Sequence, residues 1–209
     1  MSARIAVLIS GRGSNFVALA EAVERGEVPA RIVLVLSNEP DAAGLVKARE
    51  MGIEAVAVPH RGLPSRAAHE EMVIAELDRV RAEWVCLAGY MRLLSAAFVG
   101  RFPQRMLNIH PSLLPSFPGL DVQQKAIDHG VKVSGCTVHL VDEGLDSGPI
   151  VVQRAVPVRN DDTADRLAAR ILEQEHQAYP EALTRLVSEP WSIDGRRVVF
   201  GGPAGGDER

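Results

Sequence analysis

In "LNIHPSLLPSFPG" (residues 107–119) an asparagine and a histidine stand two apart within an apolar run. At the end of an extended strand, that spacing points both side chains to the same side. Asn108 offers an amide donor for a developing oxyanion. His110 offers a group that gains or loses a proton near neutral pH. Pro111, Pro115 and Pro118 stiffen the chain beyond the histidine. Such a pair alone also fits a satisfied structural histidine; the proline-rich continuation makes the whole stretch far more specific.

Carboxylates lie further on, in "VDEGLDSGPI" (141–150): Asp142, Glu143 and Asp146, ahead of Gly148. They read either as an acidic surface turn or as the source of a carboxylate that polarises His110, raising its pKa and fixing its tautomer. No spacing defines a metal-ligand set, so no metal is expected.

A third stretch, "ISGRGSN" (9–15), places a glycine loop between an apolar run and a helical pattern. That arrangement aims backbone N–H groups and a helix N-terminus at an anion. Gly11 and Gly13 match the first two glycines of the dinucleotide fingerprint, but its third position is Phe16. The lysine of a triphosphate-binding loop is absent, and Glu39 is the only acidic residue in "LSNEP" after the second apolar run. A phosphate monoester suits the loop better than a dinucleotide, and a plain tight turn is the alternative. Ser14 and Asn15 are expected to cap the helix.

These residues need a scaffold. Continuous apolar runs at 4–10, 31–38, 53–59, 84–89 and 105–110 alternate with helical patterns at 15–25, 41–52 and 65–82; the last is expected to turn Met72, Val73, Ala75 and Leu77 inward. Runs that are apolar on both faces suit parallel strands covered on both sides. Strand–helix alternation marks a doubly wound α/β sheet. The longer, more alternating runs at 131–141 and 148–158 predict an antiparallel extension. A long amphipathic helix is predicted over 163–187, capped by Thr163, with Pro180 kinking it or lying at a break. Residues 200–209, "FGGPAGGDER", read as a loose tail. The glycine loop and the Asn108–His110 pair both fall at the carboxyl ends of strands, where open α/β sheets bind ligands.

Composition sets outer bounds. The 209 residues are 46% hydrophobic and 24% charged, ordinary values for a chain that buries a real core. A net charge of −4 argues against a non-specific nucleic-acid binder, which needs a basic surface. Cys86 and Cys136 sit in apolar runs and are expected to be buried free thiols of a reducing cytosol. The N-terminus is too short and too weakly basic for a signal peptide, and no apolar stretch approaches spanning length. A cytoplasmic protein is expected, with no membrane partner.

Taken in order and spacing, "ISGRGSN", "AGYMRLL", "LNIHPSLLPSFPG" and "LDSGPI" resemble the phosphoribosylglycinamide formyltransferases, the folate-dependent transformylases of purine synthesis. The resemblance covers roughly residues 4–188. It implies a mostly parallel, Rossmann-like sheet with an antiparallel C-terminal extension. It also implies one formyltransferase domain over 1–188, with a phosphate-binding half of about 1–100, a folate and catalytic half of about 101–188, and an extension at 189–209. By resemblance, Gly13, Ser14, Asn15 and Glu175 would bind the ribonucleotide. Arg66, Met91, Arg92, Leu93 and Leu94 would line the folate site, with Val141, Asp142, Glu143 and Asp146 around the pterin. Asn108, also in folate reach, His110 and Asp146 would be catalytic. 10-Formyltetrahydrofolate would be a co-substrate, with no tightly bound cofactor and no nucleic acid, in a monomer or homodimer. The chain departs from the pattern at Gln123, where relatives often carry a histidine.

Related folate enzymes share the Asn-x-His and Asp core. A methionyl-tRNA formyltransferase would need a further C-terminal domain and a basic surface, and only about twenty residues follow 188. A formyltetrahydrofolate deformylase usually carries an N-terminal regulatory domain, for which a first strand at about residue 4 leaves no room. A non-enzymatic dinucleotide-binding module would leave 107–119 and 141–150 unexplained.

Overall fold

The computed structural model describes residues 2–201. The elements run β1 (Ala3–Ile9), α1 (Ser14–Glu24), β2 (Ala30–Ser37), α2 (Ala43–Glu50), β3 (Ala55–Ala57), α3 (Arg66–Arg79), β4 (Trp84–Leu87), α4 (Ala96–Arg101), β5 (Met106–His110), α5 (Val122–Asp128), β6 (Val133–Leu140), β7 (Ile150–Pro157), α6 (Ala164–Ser188), β8 (Trp191–Asp194) and β9 (Arg197–Phe200). One nine-stranded sheet has the order β3-β2-β1-β4-β5-β6-β7-β9-β8. Strands β1 to β5 pair in parallel, and β6 and β7 continue the sheet antiparallel. This is the doubly wound sheet with an antiparallel extension expected from the sequence. The order reverses between β1 and β4, which opens a crevice at their carboxyl ends.

Burial on both faces follows residue parity. Ile5, Val7 and Ile9 of β1, Trp84 and Cys86 of β4, and Leu107 and Ile109 of β5 pack into one core with α1 and α6. Ala6 and Leu8, Val85 and Leu87, and Met106 pack into the other with α3 and α4. Asn108 and His110 share the parity of Met106, so they leave the sheet on the α3–α4 side at the end of β5.

Several local expectations are corrected. Val73 and Leu77 are buried, but Met72 is 47% exposed and Ala75 also faces solvent. The buried stripe of α3 runs through His69, Glu70, Val73 and Leu77, a 3.6-residue period that excludes 72 and 75. Thr163 caps α6 by accepting from Arg166 N–H, as expected, yet the helix runs unbroken through Pro180. The strand at 53–59 and the helix at 41–52 are shorter than the patterns suggested, and β2 keeps the eight residues of its pattern but begins one residue earlier. Residues 191–200 add the hairpin β8–β9, which no pattern in the sequence announced. Most of the tail, 202–209, lies outside the described residues.

Gly44 shapes the crevice. Its N–H donates to Gly11 O at 3.0 Å, so α2 abuts the glycine loop. A Cβ there would run into Ile9 Cδ1 and lie 3.2 Å from both Gly11 O and Gly13 Cα. Gly44→Ala therefore overpacks a rigid site, and a loss of about 1–3 kcal/mol in unfolding free energy is expected from denaturant melts. Wild-type stability would show that the loop yields freely.

Candidate active site

The glycine loop leaves β1 and enters α1 through Gly13, whose φ of +70° lies in the left-handed region. A Cβ at Gly13 would also approach Gly44 Cα to 2.9 Å. Gly13 is the N-cap, and no side chain caps α1. The expectation that Ser14 and Asn15 cap the helix is thus corrected: both lie inside its first turn, too late to accept from its free N–H groups. Those groups remain available to an anion. Arg12 is exposed.

Asn15 turns inward instead. Its Nδ2 donates to Glu175 Oε2 at 2.7 Å, joining α1 to α6. Asn15 Oδ1 is buried and has no hydrogen-bond partner among the described residues. Glu175 is 6% exposed, and burial pushes its carboxyl above the usual range, against the opposing pull of the Asn15 amide.

At the end of β5, His110 is buried between two acceptors. Its Nε2 lies 3.0 Å from Phe117 O, and its Nδ1 lies 3.4 Å from Asp146 Oδ2. A ring carrying hydrogen on both nitrogens satisfies both neighbours. The carboxylate expected beside His110 is thus Asp146, at ion-pair distance rather than in a tight hydrogen bond. Asp146 also accepts from Gly119 N–H at 2.9 Å, and its φ of +50° is a sparsely populated backbone state for a non-glycine residue.

His139 was not singled out by the sequence. It lies directly opposite Asn108 in the antiparallel β5–β6 ladder. Its Nε2 is 3.2 Å from Asn108 Nδ2 and 3.8 Å from Asp146 Oδ1. Burial pushes the His139 pKa down, favouring the neutral ring. With Nδ1–H donating to Leu140 O at 2.9 Å, Nε2 is left as an acceptor for one Asn108 amide hydrogen. That orients the Asn108 amide and leaves its second hydrogen for a ligand. A histidine one strand away, on the same face as Asn108, was the available signal.

The proline-rich loop is tied down by side chains. Ser112 Oγ donates to Ser116 O at 2.6 Å and lies 3.1 Å from Phe117 O. Thr137 Oγ1 donates to Ser112 O at 2.7 Å and accepts from Leu114 N–H at 3.0 Å. Gln153 Nε2 donates to Leu114 O at 2.8 Å.

The remaining expected residues surround this centre unequally. Met91 and Leu93 are 66% and 67% exposed, with Arg92 and Leu94 half-buried between and beside them. Arg66 opens α3, and its Nε lies 3.8 Å from Glu70 Oε1. Val141 is half-buried, and its N–H donates to Met106 O at 2.9 Å. Asp142 accepts from Ser147 Oγ at 2.7 Å and Gly144 N–H at 3.1 Å, and so braces its own turn. Glu143 is exposed, and Gln123 is half-exposed on α5. Cys86 and Cys136 are buried free thiols, each pushed up to about 12 by burial.

Among the described residues, no group of three His, Cys, Asp or Glu side chains is arranged to hold a metal ion, and no helix is long and apolar enough to cross a membrane. An open groove of about 690 Å³ lies at the opposite end of the sheet, lined by Ala3, Trp84, Arg105 and Leu186 among others.

An α/β sheet that sets an uncapped helix end and a cluster of amide, imidazole and carboxylate at its carboxyl edge suits a group-transfer enzyme. The chain belongs to the formyl transferase family, whose model matches residues 3–183. It is 41% identical to the phosphoribosylglycinamide formyltransferase of Escherichia coli, over 92% of this chain and 88% of that protein. It is 48% identical to the trifunctional purine biosynthetic protein adenosine-3 of Drosophila melanogaster, covering 88% of this chain but 14% of that much longer protein. Its fold superposes on glycinamide ribonucleotide transformylase 1 of Symbiobacterium toebii with a TM-score of 0.93, at 47% identity, covering 95% and 94% of the two chains.

Glu175 yields a test. Its pKa is raised on folding, so its contribution to stability is full below the unfolded value near 4.5 and is lost as pH rises through the folded value. Glutamine accepts from Asn15 equally and does not titrate. Glu175→Gln is expected to melt at a higher temperature than wild type at pH 8, with the gap closing toward pH 4. Equal or lower melting at pH 8 would contradict the buried-charge reading.

Proposed function

We propose that the chain transfers the formyl group of 10-formyltetrahydrofolate to the amine of glycinamide ribonucleotide. The observation that carries this reading is the convergence of Asn108, His110 and Asp146 beside an uncapped helix N-terminus. The names of the relatives supply the transferred group and its ribonucleotide acceptor, the folate donor is what the motif resemblance implies, and small molecules are the partners. In this reading residues 1–188 act as one formyltransferase domain, the first half binding phosphate and the second binding folate and doing the chemistry.

The phosphate sits on the first-turn N–H groups at Gly13, Ser14 and Asn15. Glu175, fixed by Asn15, accepts from the ribotide. The folate lies across Met91, Arg92, Leu93 and Leu94, near Arg66, with the turn from Val141 to Asp146, including Asp142 and Glu143, around its pterin. The two sites meet at the end of β5.

The amine attacks the formyl carbon and the carbonyl oxygen becomes negative. The free hydrogen of the Asn108 amide donates to that oxygen, and the Nδ1–H of His110, held by Asp146 only at 3.4 Å, turns to share it. His110 gives a proton to the leaving folate nitrogen and is reprotonated by the one the attacking nitrogen loses, with Asp146 holding the ring and any relaying water. The formyl carbon passes from one nitrogen to the other without redox change, so folate serves as co-substrate and the chemistry asks for no resident cofactor.

Purified protein given both substrates should make formylglycinamide ribonucleotide and tetrahydrofolate. Formate release at the same rate without ribotide would favour a deformylase. Asn108→Ala is expected to lower kcat by roughly 10²–10³-fold with much smaller changes in KM, the cost of one oxyanion donor. Near-normal turnover would remove Asn108 from the assignment.

A further inference from the structure

A polar pair at the other edge of the crevice, a half-buried serine and a buried asparagine, has no part in that chemistry. Ser10 follows β1 and directly precedes the glycine loop. Its hydroxyl accepts from Met91 N–H at 2.8 Å, so its own hydrogen goes to Asn38 Oδ1 at 2.5 Å. Asn38, just past β2, is 2% exposed, an expensive place for an amide unless its groups are paired. Its Nδ2 lies 3.3 Å from both Glu39 Oε1 and His60 Nδ1. The far end of the same segment is held as well. Glu70, 6% exposed, accepts from Ser95 N–H at 2.8 Å and from the Ser95 hydroxyl.

Between these anchors the backbone is pinned while Met91 and Leu93 point two large apolar side chains into solvent. Burying the Asn38 amide and the Glu70 carboxylate to keep an apolar face exposed costs stability. It is explained if the face is a platform for a flat, partly apolar ligand, whose binding gains from a segment already ordered.

We infer that the Ser10 hydroxyl, oriented by Asn38, is a positioning residue that holds the 91–94 segment ready for the folate. This rests on the folate reading above.

Removing one neutral hydrogen bond corresponds to roughly a tenfold change in an equilibrium constant. Calorimetric titration with 10-formylfolate should therefore show about tenfold weaker binding for Ser10→Ala. In turnover the KM for the folate should rise alike, while kcat and the KM for the ribotide change less than about twofold. Ser10→Thr keeps the hydroxyl and should restore binding. Amide hydrogen exchange at Met91 should speed up in the alanine variant alone. Equal folate binding by wild type and Ser10→Ala, or a loss the threonine variant shares, overturns the inference and leaves the proposed function standing. Wild type that binds no 10-formylfolate overturns the folate reading itself. Unchanged exchange at Met91 overturns the latch whatever the ligand.

Discussion

The antiparallel pairing of β5 with β6 is the constraint on which the site depends. It sets Asn108 opposite His139 and His110 opposite Thr137. It also returns the chain so that the turn before β7 delivers Asp146 beside His110. A one-residue slip would move every one of these side chains to the other face of the sheet. The buried alternation of Cys136, Val138 and Leu140 against the α6 side forbids that slip, because it would put Thr137 and His139 into the apolar core.

Each polar group in the cluster restrains another. His139 orients the Asn108 amide, Phe117 O and Asp146 hold the two nitrogens of His110, and Gly119 N–H holds Asp146. Thr137 and Gln153 tie down the loop that supplies Phe117 and Gly119. The site is thus preorganised by hydrogen bonds that the fold completes in the free protein. The left-handed backbone of Phe117, Asp121 and Asp146 is stored strain at that centre. Across the crevice, α6 reaches the first turn of α1, just past the glycine loop, through Glu175 and Asn15.

Much of this was legible in the sequence because it is written in local patterns. Two-sided apolar runs marked the parallel strands, the long amphipathic pattern marked α6, and the Asn-x-His spacing marked a shared face. Asp146 was one of three carboxylates in a turn, narrowed by resemblance rather than by pattern. What stayed hidden depends on register and packing. His139 is one polar residue in "TVHLV", and only cross-strand pairing puts it against Asn108. Ser10 and Asn38 are 28 residues apart, joined by the neighbouring positions of β1 and β2. Ser14 and Asn15 looked like caps because their types favour caps, but Gly13 turned the chain one residue earlier. The β8–β9 hairpin has short strands that gain their place from the sheet edge beside β7.

The central claim is that Asn108 and Asp146 act as one unit through His110. The direct measurement is kcat/KM for formyl transfer by wild type, Asn108→Ala, Asp146→Asn and the double variant. Residues that serve one transition state lose their effect together, so the double variant should fall within about threefold of the worse single variant. A double variant whose loss equals the product of the two single losses would contradict a shared unit.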